Sequence, residues 1–312
     1  MKIVPTLLLL LFAATFQTKD FDVADRTEFN KLFPRDAAVS KLAGGLQFVE
    51  GPVWIEEKGG GYLVFSDIPA DEMKRWDPAG GLKTFRKPSG NANGNTLDRE
   101  GRLLTAEHAG RVSRTEQDGK VVTIVAAFEG KKLSSPNDVV VTSDGTIWFT
   151  DPDYGLGTRQ RETPGNYVYR YNAAASSLAA VIKNLDKPNG LCFSPDERIL
   201  YVADSGQPHD IHAYPVGPDG SLEVARLFAT VDKGLPDGIR CDEGGRVWSS
   251  SGDGVQIFSP NGALIARILL PESAANLTFG GPNGTTLYMT ARTSLYGVET
   301  SVRQARRPSR AR

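Results

Sequence analysis

The chain has 312 residues, with 36 lysines and arginines against 37 aspartates and glutamates, 40% hydrophobic and 23% charged positions. That composition belongs to ordinary globular proteins and excludes the disordered, collagenous and strongly nucleic-acid-binding classes. Only Cys192 and Cys241 could pair, which excludes a disulfide framework and leaves stability to a packed core.

The first segment has the pattern of a leader. Lys2 is followed by a largely apolar run over residues 3–14 and then by the polar stretch Gln17 to Asp20. Such a run is too short to cross a bilayer and matches a secretory signal peptide cut between Ala14 and Lys19. The expected mature protein is exported, periplasmic or secreted, with no membrane segment once residues 1–19 are removed. Residues 29–48 precede any repeat and are placed to add an outer strand to the last blade of a ring.

Six runs alike in pattern follow. They are Tyr62–Asp67, Arg102–Glu107, Thr146–Asp151, Ile199–Asp204, Arg246–Ser251 and Thr286–Ala291, and their first residues fall 40, 44, 53, 47 and 40 apart. Each is rich in β-branched and aromatic residues and follows a turn signal such as Ser143-Asp144-Gly145 or Asn283-Gly284, as the second strand of a hairpin would. Repeats of this length built from short strands are the signature of a β-propeller. The predicted fold is all-β: a single six-bladed propeller over residues 20–302 with a central metal site, its last blade including residues 294–300. Residues 303–312 hold five arginines and almost nothing apolar, and are expected to form a disordered basic tail. Without that tail and Lys2 the body is acidic, which argues against a polyanionic partner.

The strand before each turn opens with an oxygen-bearing side chain: Glu50, Asn93, Asn137, Asn189, Asp237 and Asn276. In a propeller the first strand of every blade lines the channel and starts at the same end, so these six converge on one mouth. Oxygen donors without His or Cys suit one hard divalent cation, and carboxylates with amide oxygens match calcium better than zinc, with magnesium and manganese also open. Such an ion would remove the repulsion between Glu50 and Asp237. Not all six can be ligands, so some asparagines are left to hold water or substrate. The loops after the second strands return to the same mouth. They are expected to bring Asp67, Glu107 with His108, Asp151 to Tyr154, and Asp204 to His209 into a polar rim suited to a hydroxylated small molecule. His209 and His212 are read as ordinary hydrogen-bonding residues. Cys192 and Cys241 lie three and four residues beyond their strand heads, on opposite faces by alternation, and are read as buried thiols without a disulfide.

Several motifs are more specific than the repeat. Glu50-Gly-Pro-Val-Trp54, Ser135-Pro-Asn-Asp138, Trp148-Phe-Thr-Asp-Pro152, Pro188-Asn-Gly-Leu191, Phe193-Ser-Pro-Asp196 and Pro236-Asp-Gly-Ile239 together resemble the gluconolactonase, senescence-marker-protein and luciferin-regenerating-enzyme family. The resemblance runs from about Phe48 to Ala291. It implies a six-bladed propeller with one catalytic divalent metal that hydrolyses sugar lactones. Carried over by motif, it implies Glu50, Asn189 and Asp237 as metal ligands, Asp237 also as general base, and Asn137 at the attacking water or the substrate. His108, Tyr154 and Asn93 are then expected to touch substrate hydroxyls. Ser135 stands where the animal members carry a substrate-contacting arginine. The reaction implied is opening of D-glucono-1,5-lactone, or a related aldonolactone, to the free acid by a polarised carbonyl and an activated water. Two alternatives stay open: a calcium-dependent organophosphate or other ester hydrolase, and a non-catalytic sugar- or protein-binding propeller with a structural metal. A serine hydrolase is disfavoured, since no Gly-x-Ser-x-Gly elbow occurs.

Overall fold

The computed structural model describes residues 19–305; residues 1–18, which hold most of the proposed leader, and residues 306–312 of the basic tail lie outside the described residues. Six antiparallel sheets stand around a central channel as the blades of a propeller. Blade one is built from Val49–Glu57, Gly60–Asp67, Glu72–Asp77 and Gly81–Arg86, and blade two from Ala92–Leu97, Leu103–Glu107, Arg111–Thr115 and Val121–Val125. Val139–Val141, Ile147–Asp151, Tyr167–Asn172 and Ser177–Ile182 make blade three, and Pro188–Phe193, Ile199–Asp204, Asp210–Pro215 and Arg226–Thr230 make blade four. Each repeated run is the second strand of its blade.

Blade six contains Ala274–Gly280, Thr286–Ala291 and Ser294–Glu299, and its outer strand, Ser40–Ala43, comes from the start of the chain. Ser40 pairs with Gly297 and Lys41 with Tyr296, which joins the two ends of the ring. Blade five contains Ile239–Cys241, Val247–Ser251, Gly254–Phe258 and Leu264–Leu269, and it gains a fifth strand, Phe21–Val23, that the repeat did not announce. A helix at Arg26–Leu32 follows, capped by the Asp25 carboxylate, which accepts from the backbone N–H groups of Thr27 and Glu28 at 2.9 and 3.0 Å. It buries Phe29 and Leu32, with Phe21 and Phe33, in the core shared by blades five and six.

One packing device recurs between blades. The aromatic residue of a second strand meets an aromatic of the next inner strand: Trp148 with Phe193 at 5.4 Å, Trp248 with Phe279 at 5.2 Å, and Tyr288 with Trp54 at 5.4 Å across the closing junction. Cys241 occupies the corresponding place after Tyr201, and there Phe228 packs on Tyr201 instead, at 4.8 Å. Both thiols are free, and they share the apolar layer between blades four and five. Alternation onto opposite faces does not separate them, because opposite faces of neighbouring blades are the ones that meet.

Residues 303–305, expected within the basic tail, are packed against blade five instead. Val302 is buried, the Ala305 N–H donates to the Cys241 carbonyl at 2.9 Å, and the Glu243 N–H donates to the Arg303 carbonyl at 2.9 Å. Blade five's inner strand has a sheet partner on one side only, so its other edge offers unpaired backbone groups that residues 303–305 take up.

Candidate active site

The heads of the inner strands are held in a ring by backbone bonds between blades. The N–H of Gly94 donates to Asn137 O at 2.7 Å, that of Gly190 to Asp237 O at 3.0 Å, and that of Gly238 to Ala275 O at 2.7 Å. This close approach explains the glycine after the head residue. A Cβ on Gly51, whose φ is +55°, would lie 2.0 Å from Asn93 O, and one on Gly190 would lie 2.3 Å from Asp237 O.

The ring places Glu50, Asn93, Asn137, Asn189 and Asp237 in the wall of one cavity of about 370 Å³, together with His108 and Tyr154. Every side chain singled out in the sequence as ligand, base or substrate contact therefore faces a single space at the channel mouth. Phe48, Ile68, Pro69 and Leu235 complete the wall. The sixth head, Asn276, stands behind it: its Nδ2 donates to Glu50 Oε2 at 2.9 Å while its Oδ1 accepts from the Leu277 N–H at 2.8 Å. Asn276 thus orients Glu50 and has no carbonyl oxygen to spare.

Two asparagines do have one. Asn189 donates through Nδ2 to Ser205 Oγ at 3.0 Å, and its buried Oδ1 has no hydrogen-bond partner. Asn93 donates to His108 Nε2 at 2.9 Å, and its Oδ1 is likewise buried and unpartnered. Buried polar atoms are almost always satisfied, so a bare oxygen at this depth marks a place for a ligand. Asn95, two residues along the same strand, shows the contrast: its Nδ2 reaches Gly51 O, Ser66 Oγ and Asn93 O, and its Oδ1 accepts from Thr105 Oγ1. That is a structural asparagine.

The electrostatics point the same way. Desolvation, and then the charge of Asp138, push the Glu50 carboxyl up to about 7. Asp237 is held well above the usual carboxylate range by desolvation first, then by Glu50 and Asp138. Desolvation and then the charge of Arg159 push the His108 imidazole down to about 4. His108 is therefore neutral at physiological pH, and its Nε2 meets the Asn93 side-chain amide at 2.9 Å. Gly155 is packed against that ring, where a Cβ would fall 2.2 Å from His108 Cγ. Among the described residues no three His, Cys, Asp or Glu side chains form a metal-holding group, so an ion here would need the amide oxygens. Two acids in want of a counter-charge and two bare amide oxygens fit a hard divalent cation.

Of the expected polar rim, His108 and Tyr154 line the cavity, but the carboxylates that end the second strands do not. Asp67 accepts from the N–H groups of Gln47 and Phe48, Asp151 from those of Ser134 and Ser135, and Asp204 from those of Asp186 and Lys187. Each carboxylate ends a second strand and clamps the chain entering the first strand of the same blade. Glu107 is fully buried between Arg86, Arg111 and Ser113. Ser135 is buried too, its hydroxyl donating to Pro152 O and accepting from the Gly155 N–H, so it holds the loop that carries Tyr154. His209 and His212 are absent from the cavity wall. The sequence reading placed Asn276 among the six heads and Ser205 in the loop from Asp204 to His209, but not the orienting role of either, which is visible only through their partners.

A six-bladed ring with acids and amides gathered at one mouth defines a class of propeller in which the channel end is the working site. The pattern described as the SMP-30/Gluconolactonase/LRE-like region matches residues 48–293, and the chain belongs to that family. It is 32% identical over 294 residues to the gluconolactonase of Zymomonas mobilis, covering 84% of this chain and 81% of that protein. The 6-deoxy-6-sulfogluconolactonase of Pseudomonas putida is 29% identical over 251 residues, covering 78% of this chain and 82% of its own length. Among solved structures, a gluconolactonase of Xanthomonas campestris superposes with a TM-score of 0.84 at 34% identity, covering 90% of this chain and 95% of that one.

Proposed function

We propose that this chain is a metal-dependent lactonase that opens an uncharged sugar lactone of the gluconolactone type to its free acid. The observation that carries the reading is the bare Oδ1 of Asn189 in the same cavity wall as the desolvated carboxyls of Glu50 and Asp237. The names of the relatives, lactonases of sugar acids, support it. Glu50, Asn189 and Asp237 would hold the ion, calcium ahead of zinc, magnesium or manganese. When bound, it supplies Lewis acidity toward the lactone carbonyl oxygen.

The chain's own residues do the rest. Asp237 would take a proton from the water whose oxygen attacks the carbonyl carbon; the ring C–O bond breaks and the proton passes to the departing ring oxygen. Asn137 lies in the wall where it can orient that water. Asn93, neutral His108 and the Tyr154 hydroxyl can bind sugar hydroxyls, and desolvation pushes the Tyr154 phenol up to about 12, so it remains a donor. No lysine or arginine lines the cavity, which favours an uncharged sugar over a sulfonated or phosphorylated one, although the nearby Lys187 ammonium stands over the Tyr154 ring at 5.5 Å. The apolar run over residues 3–14 supports export of this activity to the periplasm or beyond.

The test is pH-stat hydrolysis of a panel of neutral and anionic lactones, with calcium and after chelation. Neutral aldonolactones should be opened only with the ion, and Asp237→Asn should lose about 10²- to 10⁴-fold in rate with an unchanged circular dichroism spectrum. Full activity in Asp237→Ala, or no lactone opened with calcium present, would refute the reading.

A further inference from the structure

Beneath the mouth lies a charge that the proposed reaction does not use. Four of the six strand heads are followed by glycine, at positions 51, 94, 190 and 238, but Asn137 is followed by Asp138. The Asp138 side chain is 1% exposed and wedged against blade two, where a Cβ on Gly94 would come 2.5 Å from its Oδ1. Its Oδ1 accepts from the Val139 N–H at 2.9 Å, and its Oδ2 accepts from Arg240 Nη1 at 3.1 Å. Arg240 belongs to blade five, is 5% exposed, and gives a second bond from Nη1 to its neighbour's carbonyl, Ile239 O, at 2.7 Å. The guanidinium thus reaches across the channel from blade five to blade three and lines a cavity of about 100 Å³ on the side away from the mouth.

The formal charges of this hub are four. Glu50, Asp138 and Asp237 are acids close enough for Asp138 to act on both of the others, and Arg240 is the basic group that acts on Glu50. Arginine is never deprotonated in a protein, so its charge is permanent. We infer that Arg240 is the built-in countercharge of the hub: it cancels Asp138 and leaves the Glu50 and Asp237 pair, two negative charges, to be matched by one divalent cation. Arg240 is a positioning residue in this scheme, acting on the ion through the field and not by contact. The inference rests on the metal-site reading above. A cross-brace with no electrostatic purpose would predict a change in melting temperature on mutation but none in the charge or number of ions bound.

The experiment strips the purified full chain with a chelator and titrates it with calcium by calorimetry and with terbium by luminescence, for the wild type, Asp138→Asn, Arg240→Met and the double variant. Asp138→Asn leaves one net negative charge and should weaken calcium binding by roughly tenfold or more. Arg240→Met leaves three, and should shift selectivity toward trivalent terbium by at least roughly tenfold or admit a second calcium. The double variant restores two charges and should bind one calcium within about threefold of wild type, and it leaves no unpaired buried charge should Arg240→Met fail to fold. A double variant no better than Asp138→Asn, or single variants with unchanged affinity, selectivity and stoichiometry, overturns the inference while leaving the metal site standing. A wild-type chain that binds no divalent ion removes the site and the inference together.

Discussion

The junctions between blades and the mouth of the hub are built from the same repeat, yet they end in opposite conditions. At the junctions Trp148, Trp248 and Tyr288 each meet an aromatic of the next blade, and the layers are closed, apolar and mutually supporting. At the mouth two amide oxygens are left bare and two carboxyls are held with raised proton affinity, a state that costs stability and persists because the junctions impose it. The difference shows where to look for function in a repeat protein. Repetition is shared by structure and site; the indole N–H groups of Trp54 and Trp148 at the junctions are also unpartnered, but among the described residues only at the mouth do bare amide oxygens share one cavity wall with desolvated carboxyls.

The comparison is tested hardest at a junction. Trp248 is fully buried against Phe279 and Phe33, and Trp248→Ala should destabilise the protein by about 3–5 kcal/mol, read from denaturant midpoints. The loss should be independent of added calcium. If calcium recovers it, junction and hub are not separable.

Next in size is a pH effect confined to the hub and a few buried acids. Glu50 titrates near 7 in the folded chain, above its ordinary value of 4.5, so the folded state holds that proton more tightly than the unfolded one. The contribution of Glu50 to the stability of the metal-free protein is then fully present below the unfolded value and is lost as pH rises through 7, by about 3 kcal/mol for a shift of this size. Asp237 adds a change of the same sign. Asp151, which burial raises to about 7, adds another that lies outside the site, and His108, held down to about 4, offsets part of the fall because its contribution rises with pH up to its unfolded value. Melting temperatures in chelator should fall from pH 5 to pH 8, calcium should remove most of the fall, and Glu50→Gln with Asp237→Asn should reduce it without abolishing it. A metal-free protein that melts higher at pH 8 than at pH 5 would contradict the assignment of raised acids.

Much of this was legible in the chain itself, and the limits are physical. The six second strands and six heads could be read because rotation turns a period along the sequence into equivalence in space. Closure by Ser40–Ala43 within residues 29–48 was legible for the same reason, since a ring leaves a gap only at its end. The strand Phe21–Val23 and the helix Arg26–Leu32 have no counterpart in the repeat and gave no periodic signal. Asp67, Asp151 and Asp204 were misread because a carboxylate at the end of a strand can face water or clamp backbone N–H groups, and only the fold of the following loop decides. The pair of Asp138 and Arg240, 102 residues apart, depends on the width of the channel, which no local pattern encodes.

The smallest effect concerns how the bare oxygen of Asn189 is kept pointing into the cavity. An amide can turn end for end, and this one is held by Ser205, whose hydroxyl accepts from Asn189 Nδ2 and donates to Pro236 O at 2.6 Å, together with Asp237 and Tyr154, which also hydrogen-bond the Asn189 side chain. Ser205 is buried, forms no part of the cavity wall, and also hydrogen-bonds the Tyr154 hydroxyl. Ser205→Ala removes one of the acceptors and loosens the Asn189 amide, at a cost of about 1 kcal/mol in stability. Calcium affinity should fall by about tenfold, the scale on which partners that orient a ligand usually act. Ser205→Thr, which keeps the hydroxyl, should recover most of that affinity. A fall in stability with calcium affinity untouched would mean that Asp237 and Tyr154 suffice to orient Asn189, and that the hub needs less local support than its bare oxygens suggest.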